Sequence, residues 1–187
     1  LGVAVTDINT LVDKTVASNV IAGGITMLTY SLSLFEMVNG IITLPITNVF
    51  YPRISKSIIN NFEDEIRENL QREIGMLVWF LLPITFGIFI LGKNLVEVLF
   101  LRGEFTGENV CVVTETLMMY GIGFISYGVN KVFSQMYYAF GDTKTPLKIN
   151  FFAVPINIVF NLFLSQLLGL RGLAFATTLA NTIVSVI

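Results

Sequence analysis

The chain has 187 residues, 54% of them hydrophobic and only 13% charged, with 11 basic and 13 acidic side chains and a net charge of −2. Soluble domains carry about 25% charged residues, so the composition argues for lipid rather than water as the surrounding solvent. There is no His and one Cys, Cys111, which excludes Ser-His triads, His-zinc and His-haem sites, and any internal disulfide or CxxC centre.

Further absences narrow the function. No basic block runs through the chain, so nucleic acid is not an expected partner, and no glycine-rich nucleotide loop is present. No acid pair or nucleophile–base set is found, so the chain is not expected to be an enzyme. It begins at Leu1 rather than Met and stops at Ile187 inside an apolar run, and it reads as a piece of a longer protein.

A membrane helix needs about 20 mainly apolar residues. Six candidate spans follow in order: 3–22, 25–51, 76–91, 110–139, 147–168 and 173–187, the last one truncated. The first is unusually polar. Gly23-Gly24 forms a tight joint after it, and Pro52 is expected to end the second. Residues 53–74 form the longest charged stretch, in which Ile58, Ile59, Phe62, Ile66, Leu70 and Ile74 recur at helical spacing. That pattern predicts either an amphipathic helix on the cytoplasmic membrane face or a solvated connector.

Loop charge orients the spans. Arg53, Lys56, Arg67, Arg72, Lys144 and Lys148 follow the second and fourth spans, while Lys93, Arg102 and Arg171 follow the third and fifth. The richer set is expected to be cytoplasmic by the positive-inside rule.

Polar side chains within hydrocarbon are costly and mark cavities or packing seams. Thr6, Thr10, Asp13 and Ala17 make one small, polar stripe on the first span; Lys14 lies mid-span beside Asp13. Asn150, Val154, Asn157, Asn161 and Ser165 make a second on the fifth span, and the sixth adds Thr177, Thr178, Asn181, Thr182 and Ser185. These oxygen-bearing faces suit a hard cation such as Na⁺; their alternative role is interhelical hydrogen bonding. Glu36 and Asn39 interrupt the second span and are candidates to face a cavity. Glu115 and Lys131 lie toward the ends of the fourth, where snorkelling explains them. Pro45 and Pro155 mark expected kinks.

Two segments resemble a known family. LFLRGEFTGENV, residues 99–110, is similar to the LFxRGxFT signature of the MurJ (MviN) family, and QMYYAFGDTKTPLKI, residues 135–149, to its FYALGDTRTPVKI segment. Arg102, Gly103, Phe105 and Thr106 carry the first motif; Gly141, Asp142, Thr145 and Pro146 carry the second. INTLVDKTVAS, ITMLTYS, NVFYPRISKS and GLRGLAFATTLA fall in matching order. The resemblance implies an all-α membrane protein, six transmembrane helices forming the second lobe of a MOP-type transporter (the multidrug/oligosaccharidyl-lipid/polysaccharide exporter superfamily), in the bacterial inner membrane.

It further implies transport of lipid II, an undecaprenyl-pyrophosphate-linked peptidoglycan precursor, from the inner to the outer leaflet by alternating access, together with a first lobe of the same chain. Some members bind Na⁺, and the matching positions are Asp13, Asn157, Asn161 and Thr177. Asn161 stands where relatives carry an acid. Ser33, Glu36 and Asn39 match the substrate-cavity segment of the second span, and Ser33 stands where the family places an Arg. That departure keeps two other readings open: export of another polyprenyl-linked oligosaccharide or of drugs, and a transport-inactive scaffold in cell-wall synthesis.

Overall fold

A computed structural model describes the backbone of residues 2–186 and the side chains of residues 9–185. The described residues fold into α1 (Gly2–Val20), α2 (Gly24–Val38), α3 (Leu44–Ile59), α4 (Glu63–Phe100), α5 (Gly107–Ile122), α6 (Phe124–Ala139), α7 (Lys144–Leu168) and α8 (Leu170–Val186). A π-helical turn, Asn39–Thr43, joins α2 to α3 without interruption. The wider turn falls where Pro45 needs it, because a proline ring collides with the carbonyl four residues back, here that of Ile41.

Helix α5 occupies the centre, packed on α2, α4 and α8; α7 pairs with α8 and α1, and α3 lies against α4 and α6. Val110, Val113, Leu117 and Tyr120 of α5, with Leu77 and Leu81 of α4 and Leu173 of α8, are fully or almost fully buried. The outside is equally apolar: Trp79, Ile90 and Val98 are 76%, 77% and 86% exposed, and Phe86, Phe151, Phe163 and Leu167 also face outward. Soluble monomers rarely expose contiguous apolar patches beyond a few hundred Å². A bundle apolar on its outside with polar groups within is the arrangement hydrocarbon selects.

By length and composition, Gly24–Ile59, Glu63–Phe100 and Lys144–Leu168 are long and apolar enough to cross a bilayer, and the α5–α6 pair makes a fourth if counted as one bent span. Six helical segments, α1, α2–α3, α4, α5–α6, α7 and α8, follow in the order of the six expected spans; α1 and α8 fall outside that criterion of length and composition. Asp13 of α1 and Thr177 of α8 each accept a hydrogen bond from an asparagine of α7, whereas Thr178 and Thr182 of α8 bond to α5 and α6.

Three expectations about boundaries change. Pro52 lies inside α3, which runs on to Ile59; without water to compete for the backbone, loss of one hydrogen bond does not stop the helix. Residues 53–74 are not one helix: they divide between the end of α3, a turn at Asn60–Phe62, and the first turns of the 38-residue α4. The span 110–139 is broken, α5 and α6 meeting at 45°. At the break Thr178 donates its hydroxyl to the Met119 carbonyl at 2.9 Å and Thr85 to that of Gly121 at 3.3 Å. Gly123 is required there, because a Cβ would lie 2.7 Å from Thr178 Oγ1. At the first joint Gly23 takes φ +74°, as a left-handed turn demands.

Candidate functional site

The α1, α7 and α8 stripes meet. Spacing of four residues places Asn157, Asn161 and Ser165 on one face of α7, and all three are buried, with Asn161 wholly enclosed. Asp13 comes from α1 and is also buried. Asn161 Nδ2 donates to Asp13 Oδ1 at 2.5 Å and to Asn157 Oδ1 at 2.6 Å. Asn157 Nδ2 donates to Thr177 Oγ1 at 3.2 Å, and the Thr177 hydroxyl donates to the Leu173 carbonyl. Asp13, Asn161, Asn157 and Thr177 thus form a single hydrogen-bonded chain across three helices. Of the first-span stripe, Ala17 is buried, Thr10 is half-buried, and the side chain of Thr6 lies outside the described residues.

One side-chain oxygen of this four-residue network lacks a partner. Asn161 Oδ1 is enclosed and accepts no hydrogen bond. An unpartnered buried carbonyl oxygen beside a carboxylate is an unused pair of ligand positions. Together with Asp13, Asn157 Oδ1 and Thr177 Oγ1 it gives an all-oxygen donor set, which fits a hard monovalent cation. Among the described residues no group of three acidic, Cys or His side chains could hold a metal, so a single negative charge would balance the cation.

The second-span candidates separate. Ser33 and Glu36 are exposed on α2, on a face continued by Met37, Gly40 and Ile41. Asn39 is not on it: it is 5% exposed, donates to the Phe35 carbonyl at 2.9 Å and accepts the Thr43 hydroxyl at 3.0 Å. At 100° per residue, six positions after Ser33 the side chain has turned about 120° away. Asn39 is therefore a brace of the π-helical turn, not a member of the Ser33–Glu36 face.

The family motifs prove to be loop architecture. Gly103 turns the α4–α5 loop with φ +61°, and Phe105 folds back toward Tyr30, which stacks on Phe100 at 4.4 Å. Arg102 is exposed, and Thr106 stands in extended conformation at the start of α5. Gly141 turns the α6–α7 loop with φ +79°. Asp142 then caps α7: Oδ1 accepts the backbone N–H of Lys144 at 2.9 Å and of Thr145 at 3.1 Å, and Oδ2 accepts the Thr145 hydroxyl at 2.6 Å. Those bonds, the Thr145 hydroxyl's first, hold the Asp142 carboxyl below its usual range. Pro146 sits in the first helical turn, where its missing N–H leaves no bond unmade.

A polar stripe on α6 went unread in the sequence. Tyr127, Asn130, Lys131, Ser134, Gln135 and Tyr138 line a cavity of about 420 Å³ with Asn150, Asn157 and Asn181. Their spacing of three, one, three, one and three was the available signal.

The model of the family described as "Lipid II flippase MurJ" matches residues 1–187, the whole chain. The chain belongs to the MurJ family. It is 35% identical over 179 residues to a probable lipid II flippase MurJ of Vibrio cholerae, covering 96% of this chain and 34% of that protein. To a protein of the same description from Helicobacter pylori J99 it is 30% identical over 181 residues, covering 97% and 39%.

Among solved structures, a lipid II flippase MurJ in an inward closed conformation matches with TM-score 0.88 at 25% identity, over 99% of this chain and 39% of that one. A MOP superfamily transporter from Pyrococcus furiosus matches with TM-score 0.85 at 16% identity, over 99% and 40%, which shows a shared fold. The chain thus spans about two-fifths or less of the MurJ proteins it matches. It is a multi-pass membrane protein with the architecture of a MOP-type lobe.

Proposed function

We propose that this chain is the second lobe of a transporter that moves lipid II from the inner to the outer leaflet of the bacterial inner membrane. The match of the whole chain to the MurJ family carries the reading. The family is one of transporters, which favours translocation over catalysis. An exposed carboxylate, Glu36, on the α2 face supports it, since charge within a span belongs against a cavity rather than lipid; the first lobe is the partner that face would meet.

Alternating access needs an element whose equilibrium a ligand can bias. The Asp13–Asn161–Asn157–Thr177 chain ties α1, α7 and α8 together and supplies one. Asp13, Asn157, Asn161 and Thr177 would hold Na⁺. When bound, the ion supplies positive charge that neutralises Asp13. Without it, the Asn161 amide orients toward the carboxylate and keeps the three helices drawn together.

The test uses full-length protein in cells lacking a paralogue. Depletion should stop lipid II from reaching the outer leaflet, and flipping that continued unchanged would refute the reading. Ser33 favours a second one, a different polyprenyl-linked cargo, because a hydroxyl offers one neutral donor where an Arg would grip pyrophosphate with two charged ones. Under lipid II transport Ser33→Arg should raise flipping, and no change would favour the other cargo.

A further inference from the structure

The cavity of about 420 Å³ meets the four-residue network at Asn157 and Thr177, while Asp13 and Asn161 stand outside its wall. From there it runs toward the α6–α7 loop. Along α7 it reaches Asn150, seven residues or about 10 Å nearer that loop, and along α6 it reaches Tyr138, which is exposed one residue before the helix ends. In the other direction the network is shut. Ser165 lies one turn beyond Asn161 and Ala17 one turn beyond Asp13, and both are buried, as are Leu170 and Leu173 at the start of α8.

We infer that this cavity is the aqueous passage between the cation cluster and the membrane side that bears the α6–α7 loop, with Lys131 as its electrostatic gate. The inference rests on the Na⁺ role proposed for that cluster. Among the described residues, Lys131 is the only charged side chain in the cavity wall, and it forms no salt bridge. An ammonium within a membrane bundle is costly unless an anion or water answers it. No carboxylate lines the described wall, so water is the partner. Water that reaches Lys131 continues through the same space to Asn157 and Thr177.

The wall suits a cation in transit rather than one at rest. Two enclosed carbonyl oxygens in it, Asn9 Oδ1 and Gln135 Oε1, accept no hydrogen bond and can replace part of a hard cation's hydration shell. Lys131 opposes them, because a fixed positive charge beside a pathway raises a barrier to cations. Across a cavity of this size, at an effective dielectric constant of about 20, a like charge lowers cation occupancy by roughly tenfold. The hydrogen bond from Asn157 to Thr177, at 3.2 Å, stands between this vestibule and the enclosed Asn161 Oδ1. Lys131 thus lowers the occupancy of the cluster and slows cation entry from the loop side.

Full-length protein with its native cysteines replaced, Cys111 among them, tests the passage in sealed vesicles of both orientations. Ser134→Cys and Asn150→Cys, both in the cavity wall, should react with a membrane-impermeant thiosulfonate added on the loop side and not on the other. Reaction from the opposite side, or from neither, would overturn the passage while leaving the cation role, which Asp13→Asn tests separately. Melting of the purified full-length protein across a Na⁺ series tests the gate. Lys131→Gln should lower the Na⁺ concentration for half-maximal stabilisation about tenfold, and Lys131→Arg should leave it unchanged, which separates lost charge from altered packing. The same Na⁺ dependence in Lys131→Gln as in the natural protein would overturn the gate. No Na⁺ dependence in the natural protein would remove the cation role itself, and the gate with it.

Discussion

Asn161 and Asp13, 148 positions apart in the chain, meet at 2.5 Å, the Asn161 amide bridging α7 to the carboxylate of α1. The same nitrogen holds Asn157, so one side chain closes the polar seam between α1 and α7. An acid at this position, as the family resemblance expects, could make neither bond while ionised. With Asn161 in place of the expected acid, an amide dipole partners Asp13 directly.

That replacement predicts the behaviour of Asn161→Asp. Two donors are lost and two carboxylates face each other, which should destabilise the cation-free protein by about 1–3 kcal/mol. Na⁺ should restore the loss, and the melting temperature of the variant should depend on Na⁺ more steeply than that of the natural protein. Asp13→Asn should abolish the dependence in both backgrounds. Melting full-length protein in NaCl and in N-methylglucamine chloride checks this; identical curves in the two salts for every variant would remove the cation from the mechanism.

The break at Gly123 gives a second, purely steric prediction. Gly123→Ala would push a methyl to 2.7 Å from Thr178 Oγ1 and 3.0 Å from Thr178 Cγ2, an overpacking expected to cost about 1–3 kcal/mol. Thr178→Ala opens the space but gives up the bond to Met119. The double variant should therefore be more stable than the two single losses added together, a coupling that a thermal double-mutant cycle measures. Strict additivity would mean that α8 does not hold the break closed.

What the sequence disclosed, and what it hid, follows from the kind of signal each feature left. The Asn157–Asn161–Ser165 stripe was legible because four-residue spacing keeps side chains on one face of a helix. The Asp142 cap was recognisable only as a motif, although its Asp–x–x–Thr spacing has a local physical cause. Asn39 was misplaced because proximity in sequence to Glu36 does not keep a residue on the same face. The Gly123 break left little trace, since hydropathy averages across a single glycine and the Thr hydroxyls that close it come from α4 and α8. The α6 stripe was passed over because Lys131, taken alone, reads as a snorkelling residue; only with Asn130 and Ser134 beside it does a polar face emerge.

The Asp142 cap predicts a pH dependence with a definite sign. Its carboxyl is held below the usual Asp range by the Thr145 hydroxyl and the two backbone N–H groups. A group depressed on folding contributes stability above its unfolded value and loses that contribution as pH falls through the folded one. Asp142→Asn should therefore lower the melting temperature at neutral pH, and the gap to the natural protein should close as acid protonates Asp142. A gap that stayed constant down to strongly acidic pH would show that the charge contributes nothing to the cap.

Arg171 and Glu115 meet at 2.9 Å, linking α8 to α5, but both side chains remain substantially exposed. Such a pair contributes about 0–1 kcal/mol and is screened by salt. Arg171→Gln should thus shift the melting temperature slightly at low ionic strength and not at all at high. A large, salt-independent loss would instead mark the pair as a lock between the two helices.

The strongest test of the lipid surroundings lies on α4. Phe86 is 60% exposed, midway along a helix whose outward face also carries Trp79, Ile90 and Val98. In water, Phe86→Arg would cover apolar surface with charge and would improve solubility at little cost. In hydrocarbon the same change should oppose insertion by about 2.5–3.5 kcal/mol for a charge near the helix centre. The two environments predict opposite signs. Expressed in full-length protein, Phe86→Arg should reduce the membrane-inserted fraction, whereas Phe86→Leu should leave it unchanged; equal insertion of the two would contradict a lipid-facing α4, because a guanidinium tolerated at that depth requires water or a polar partner against the face that Trp79 and Ile90 now occupy.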